Sequence, residues 1–354
     1  MNRRLVDVAV IGGGVIGLST ALEVARAGAS CCVIEVDRAG AASGAAAGLL
    51  APSVGHLSGD AAPFFAASLE RYENFLAPLQ EEDPELRVLT GLIEVLSAGE
   101  RTSNSSVPFA RWIDREAVAG LEPRVHAPFG AVLHARDGAI DNVRLVAALR
   151  RALERNPGAH RIQADPAVRV GIHTGSIGVV LESGSQIDAG TVVLAAGAWS
   201  GQIMGLPRFL PISPLKGQML AVRSTGLRHP IMGDDVYLVP RAGEVVIGAT
   251  AERAGFDLST NPATIEALRQ AAIRLCPGLA NAPVVRQWAG LRPATPDMLP
   301  ILGPDPDAPR LLYACGHSKN GILLAPATAA AIAECASGNA ETWNIAPFSV
   351  TRFE

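Results

Sequence analysis

No run of lysines or arginines occurs in this chain, and its 30 basic residues are outnumbered by 34 acidic ones, leaving a net charge of −4. Binding nucleic acid requires a concentrated positive patch, so nucleic acid is not expected as a partner. Cysteine is scarce, five in 354 residues, and scattered apart from Cys31-Cys32, an adjacent pair of the kind that rarely bridges. No metal-ligand spacing appears, so no metal is expected, and a reduced, cytoplasmic setting fits best. Long apolar runs are also missing. The segment from Ile322 to Ala333 is too short to span a bilayer and contains Pro326. The apolar start follows Arg3-Arg4 but holds Asp7 and four glycines, with no small-residue cleavage site, so it reads as folded structure and not as a signal peptide. There is no repeat and no low-complexity tract. What is present is a globular composition, 49% hydrophobic and 18% charged, in a length that predicts two domains.

The most informative segment is Val6-Asp7-Val8-Ala9-Val10-Ile11-Gly12-Gly13-Gly14-Val15-Ile16-Gly17, with Val33-Ile34-Glu35 a helix's length later. It reads as strand, glycine turn, helix and second strand, the arrangement that binds a dinucleotide. Gly12 permits the tight turn, Gly14 lets the backbone approach a pyrophosphate, and Gly17 lets helix and strand pack closely. The phosphates would lie at the positive end of the helix. Glu35, 23 residues after Gly12, is placed to accept hydrogen bonds from ribose hydroxyls.

After this β-α-β unit, small residues run from Ala39 to Gly48 and lead into Leu49-Leu50-Ala51-Pro52. A flexible linker has this composition, and so does backbone that must lie flat against a planar ligand; the nucleotide fold upstream favours the ligand. Residues 64–80 predict an amphipathic helix, Leu92 to Leu96 a strand, Arg101 to Ser106 a surface loop, and Trp112 to Leu121 a helix with Asp114 as N-cap. Asp141-Asn142 is a second helix start, for Val143 to Leu153. Thr191 to Leu194 reads as a buried parallel strand ending in Ala195-Ala196-Gly197, a second close approach to the same ligand. The strands Gln218–Val222, Val236–Pro240 and Val245–Gly248, with a hairpin turn at Gly243-Glu244 and a helix around Ala263 to Leu275, suggest a separate substrate domain. The chain then returns through Trp288 to Pro293 and closes on a strand, a polar glycine turn and a helix across Leu311 to Leu324.

The alanine-rich loop through Ala47-Gly48-Leu49, the Trp288-Ala289-Gly290-Leu291-Arg292-Pro293 segment and the terminal Gly316-His317-Ser318-Lys319-Asn320-Gly321-Ile322-Leu323-Leu324-Ala325-Pro326 carry a resemblance over nearly the whole chain. The sequence resembles the D-amino-acid oxidase superfamily of FAD enzymes, and within it the glycine oxidases of thiamine biosynthesis. The resemblance implies an α/β fold, a Rossmann-like FAD-binding domain interleaved with a smaller antiparallel-sheet α+β substrate domain. The first would take 1–80, 135–205 and 286–354, the second 81–134 and 206–285. It implies non-covalent FAD held by Gly12, Gly14, Val15, Ile16, Glu35, Val36, Ala42, Ser43, Ala47, Gly48, Leu49, Gly197, His317, Ser318, Asn320, Gly321, Ile322 and Leu323, with the Val168 backbone at the adenine end.

For the substrate, Arg292 is the expected carboxylate anchor, since guanidinium binds carboxylate as a fork. Tyr237 matches a family tyrosine that reaches the same carboxylate. Lys319 stands where many glycine oxidases carry arginine, keeping the charge and losing the fork. Ala251 replaces a bulkier residue of a relative, which leaves room for substrates larger than glycine. No side chain is expected to act as acid or base. The expected activity is oxidation of a small amino acid, glycine first, to an imine with oxygen as acceptor. Oxidation of a D-amino acid, sarcosine or D-hydroxyproline, by an oxidase or dehydrogenase, is the alternative. A tRNA-modification module acting on a carboxymethylamino group shares the chemistry, but would call for a basic surface.

Overall fold

Arg3–Ile11 and Gln186–Leu194 both end in unbroken apolar stretches, as a strand buried on both faces must. In the computed structural model, which describes residues 3–54, 59–97, 109–224, 226–338 and 342–354, these strands pair in parallel from Arg3↔Gln186 to Ile11↔Leu194. Their sheet runs in the order Ile301–Pro304, Leu311–Cys315, Gln186–Leu194, Arg3–Ile11, Cys31–Glu35, Ala159–Gln163, with the hairpin Ala167–His173/Ser176–Leu181 joined to Gln186–Leu194. The last part of the chain thus returns beside the first, and the helix Gly321–Ser337 packs on the helix Val15–Arg26. The helix Asn142–Glu154 completes that layer, starting where expected because the Asp141 side chain accepts from the backbone N–H of Val143 and Arg144.

The second sheet runs Val284–Ala294, Ser213–Arg223, Glu244–Gly248, Tyr237–Arg241, Ile231–Met232, Leu89–Val95, Ala131–Ala139, Leu49–Leu50, and Ala110–Ile113 adds to Ala131–Ala139. Its pairings are antiparallel except that Ile231–Met232 lies parallel to Leu89–Val95. The helix Pro262–Leu275, capped by Asn261, buries Ile265, Leu268 and Ala272 against Leu220 and Val222.

Several expectations are corrected. The Trp288-to-Pro293 segment, assigned by sequence to the cofactor domain, lies in Val284–Ala294 and pairs with Ser213–Arg223 in the second sheet. Leu49–Leu50 also crosses into that sheet. Trp112 and Ile113 are strand, and the helix begins at Arg115 because Asp114 caps it through the Ala117 N–H. The helix expected over 64–80 is Ala62–Glu70, Tyr72–Leu76 and a 3-10 turn Ala77–Leu79, broken at Arg71 and passing into the 3-10 turn where Pro78 lacks an N–H. The hairpin turn falls one residue early, between the paired Arg241 and Glu244. The loop expected over 101–106 lies outside the described residues. None of the described helices is long and apolar enough to cross a membrane.

Candidate active site

Residues of both sheets line one cavity of about 750 Å³, a size suited to a small-molecule or cofactor site. At one end its wall is backbone. Gly12 takes φ +121°, and a Cβ there would collide with the Ala195 carbonyl; this is the turn that only glycine allows. Gly12, Gly14, Val15 and Ile16 line the cavity, with Gly14 as N-cap of Val15–Arg26. Val36, Ala42, Ser43, Ala47, Gly48, Leu49 and Gly197 line it as well. Gly48, at φ +80°, lets its segment lie against the Ile140 carbonyl. The Ser43 hydroxyl accepts the Val15 N–H at 2.9 Å, joining the alanine loop to the glycine turn.

Three expected contacts lie elsewhere. Glu35 is not among the lining residues: its carboxylate is buried against Gly13 and paired with Arg161 and Arg150. Arg161 lies on the neighbouring strand, diagonally across from Glu35, where side chains of one face meet. The strand Ala167–His173 has a register shift between Ala167 and Arg169, so Pro166 and Ala167 line the cavity, while the Val168 carbonyl accepts from Met204. Leu323 turns into the core, 1% exposed, and its carbonyl accepts from Ser68.

The other end is made of side chains. Arg292 and Tyr237 both reach the cavity. The guanidinium of Arg292 donates to the Thr250 carbonyl at 2.9 Å and lies over Gly217, where a Cβ would stand 2.5 Å from it. The Tyr237 ring lies over Gly248 in the same way, its hydroxyl 2.6 Å from a Cβ built there. Burial raises the Tyr237 phenol, and the Arg292 charge beside it pulls the other way. Met219, Met232, Ala249, Thr250 and Ala251 complete this chamber. The Ala294↔His317 bridge and the Ser318 N–H donating to the Pro293 carbonyl bring the glycine turn 316–321 alongside Arg292. Lys319 on that turn is exposed and lines the cavity.

His317, Ser318, Asn320, Gly321 and Ile322 gather at the start of the helix Gly321–Ser337. The unpaired N–H groups of a helix's first turn favour negative charge in front of it. His317 is 3% exposed, its Nε2 lies 3.1 Å from the Thr328 hydroxyl, and burial pulls its pKa down to about 3. The imidazole is neutral at ordinary pH. Burial likewise pushes the Cys315 thiol up to about 12, which leaves it unreactive.

Sequence reasoning missed Arg38, stacked over Trp199 with both lining the cavity, and the two glycines that seat Arg292 and Tyr237. Nothing in local spacing marks Gly217 or Gly248, because each is required by a side chain on another strand. Among the described residues no group of three or more His, Cys, Asp or Glu is arranged to hold a metal.

These residues fit a flavin dinucleotide. A glycine cradle that any Cβ would fill sits at one helix start, small-residue backbone lies along the middle, and a second helix start closes the chamber holding Arg292. The comparisons agree. The family model described as FAD dependent oxidoreductase, DAO, matches residues 7–335. A glycine oxidase of Bacillus licheniformis is 33% identical over 95% of this chain and 94% of its own. A bifunctional protein ThiO/ThiG of Synechocystis sp. is 34% identical over 98% of the chain, which spans 54% of that protein's length; the chain thus covers about half of such bifunctional relatives. The crystal structure of glycine oxidase from Geobacillus kaustophilus superposes with a TM-score of 0.90 at 28% identity, covering 99% of each chain. The chain belongs to the DAO family of FAD-dependent oxidoreductases.

Proposed function

We propose that this protein is a glycine oxidase, converting glycine to its imine, which hydrolyses to glyoxylate and ammonia, with hydrogen peroxide formed from oxygen. The observation that carries the reading is Arg292, fixed by the Thr250 carbonyl and the Gly217 surface, facing a chamber bounded by Tyr237, Ala249 and Ala251. When bound, FAD supplies the acceptor for the hydride leaving the substrate Cα. Arg292 takes the α-carboxylate by the guanidinium edge not engaged with Thr250, and Tyr237 donates its hydroxyl to the same carboxylate. Two fixed contacts on one carboxylate orient Cα, which is the main requirement for a transfer the cofactor performs. The start of the helix Gly321–Ser337 stabilises negative charge as it accumulates. His317 is neutral and bonded to Thr328, so it holds the glycine turn and takes no proton. The substrate therefore binds with its amine unprotonated.

The remaining assignments follow from the same reading. Gly12, Gly14, Ser43 and the 47–49 backbone hold the dinucleotide, and 316–322 its flavin end. Lys319, at the exposed side, draws in the anionic substrate. The cofactor domain is centred on the sheet of Arg3–Ile11 and Gln186–Leu194 and the substrate domain on the second sheet, with Val284–Ala294 and Leu49–Leu50 belonging to the second. The imine serves assembly of the thiamine thiazole. A second reading, a small N-alkyl or D-amino acid as substrate, is favoured by one feature: Ala249 and Ala251 leave the chamber wall short beside Tyr237.

The test is anaerobic mixing of the yellow protein with glycine, sarcosine, D-alanine and D-proline, followed by air. Bleaching fastest with glycine, then recovery with peroxide, supports the glycine reading. Bleaching only by the larger amines selects the second, and failure to recover in air removes oxygen as the acceptor.

A further inference from the structure

The segment 42–48 carries alanine, serine and glycine only, so it has almost no side chains with which to fix itself. Its carbonyls are instead gripped from outside. Asn142 Nδ2 donates to Ser43 O at 2.6 Å and to Gly44 O at 3.3 Å. Trp288 Nε1 donates to Ala45 O at 2.9 Å, and Arg241 donates to Ala47 O at 3.0 Å. The opposite side of the same segment lines the cavity through Ala42, Ser43 and Ala45 to Gly48.

Arg241 is the centre of this arrangement. Its side chain is 7% exposed, and it also bonds Asp141 at 3.0 Å and the Asn142 side-chain oxygen. Burial lowers its basicity, and the Asp141 carboxylate opposes that. A guanidinium taken out of water depends on the acceptors it finds; its two terminal nitrogens are satisfied, one of them by the loop itself, while Nε has no partner among the described residues. Arg241 and Tyr237 end the same strand, four residues apart and on one face of it. Gly290, two residues beyond Trp288, lets Val284–Ala294 approach the loop so closely that a Cβ would stand 2.5 Å from Ala45 Cβ.

We propose that Arg241, Trp288 and Asn142 are positioning residues that clamp the 42–48 loop against FAD, so that the strand presenting Tyr237 also sets the cofactor wall. The inference rests on FAD binding and not on the choice of amine. The test uses three holoenzymes: wild type, R241Q and W288F. Each is diluted from micromolar to nanomolar, the FAD dissociation constant is read from released flavin fluorescence, and FAD-saturated protein is titrated with acetate through the visible spectrum. The FAD dissociation constant rises about tenfold or more in R241Q and about threefold in W288F, as one charged and one neutral hydrogen bond are lost. Acetate affinity at saturating FAD stays within about threefold of wild type, a change below ~0.7 kcal/mol. An unchanged FAD dissociation constant in W288F overturns the clamp, and this variant decides the matter if R241Q does not fold. A loss of FAD affinity that merely follows an equal fall in the melting temperature of the FAD-free protein also overturns it. Failure of acetate to bind wild type would count against the carboxylate reading alone and leave the clamp standing.

Discussion

The two ends of the cavity are made by different means. At the end built on the glycine turn the wall is backbone, and the sequence requirement is the absence of a Cβ at Gly12 and Gly48. At the other end the wall is side chains, Arg292 and Tyr237, carried on separate strands of one largely antiparallel sheet. A backbone site draws on consecutive residues, so its signature is local. A side-chain site draws on strands brought together by pairing, so its members are scattered along the chain.

This contrast can be broken from either side. The largest effect is expected from Gly12→Ala, which forces a Cβ into the Ala195 carbonyl at a φ that L-residues avoid. Purified G12A should carry no yellow colour, read as flavin absorbance per protein after gel filtration; full colour would refute the backbone account. Next comes Arg292→Met, which should keep FAD and lose roughly 3 kcal/mol of transition-state binding, about two orders of magnitude in kcat/KM. Loss of FAD from that variant would show that the two ends are not separable. Gly217→Ala sharpens the comparison, because it places a backbone requirement inside the side-chain site. The added methyl meets the Arg292 guanidinium, and KM should rise about tenfold with a smaller change in kcat, an overpacking penalty of ~1.4 kcal/mol. A KM equal to wild type would mean that Arg292 is not held against this surface.

The smallest effect at neutral pH is expected at His317. Its pKa in the fold is about 3, below the ordinary 6.5. Between those values the unfolded chain binds a proton that the folded chain refuses, so stability is full above about 6.5 and falls as pH drops toward 3. Melting temperatures at pH 7 and pH 5 should therefore diverge less in H317Q than in wild type. An identical acid loss in both would remove His317 from the account.

The same contrast explains what was legible in the sequence. Gly12 and Gly14 sit in one turn and Gly17 in the helix that follows it, so this strand-turn-helix unit could be read directly. The helix after Asp141 was legible because its cap adjoins it. Arg292 and Tyr237 were reached only through a family resemblance, and Gly217, Gly248 and Arg241 were not reached at all. Their roles depend on the pairing of Ser213–Arg223 with Val284–Ala294 and of Tyr237–Arg241 with Glu244–Gly248, which no local pattern states. Glu35 shows the converse: a motif position expected to accept from ribose hydroxyls is held by Arg161 from a strand more than a hundred residues on.

Pro326 lies inside the helix Gly321–Ser337 and has no N–H to offer the carbonyl one turn before it, that of Ile322. The hydroxyl of Tyr72, on a helix far earlier in the chain, donates to that carbonyl instead. Neither residue touches substrate, yet together they settle the first turn of the helix that faces the cavity. Replacing Tyr72 alone strands an acceptor in a packed interior. A designer grafting this helix elsewhere with its proline must carry the tyrosine too.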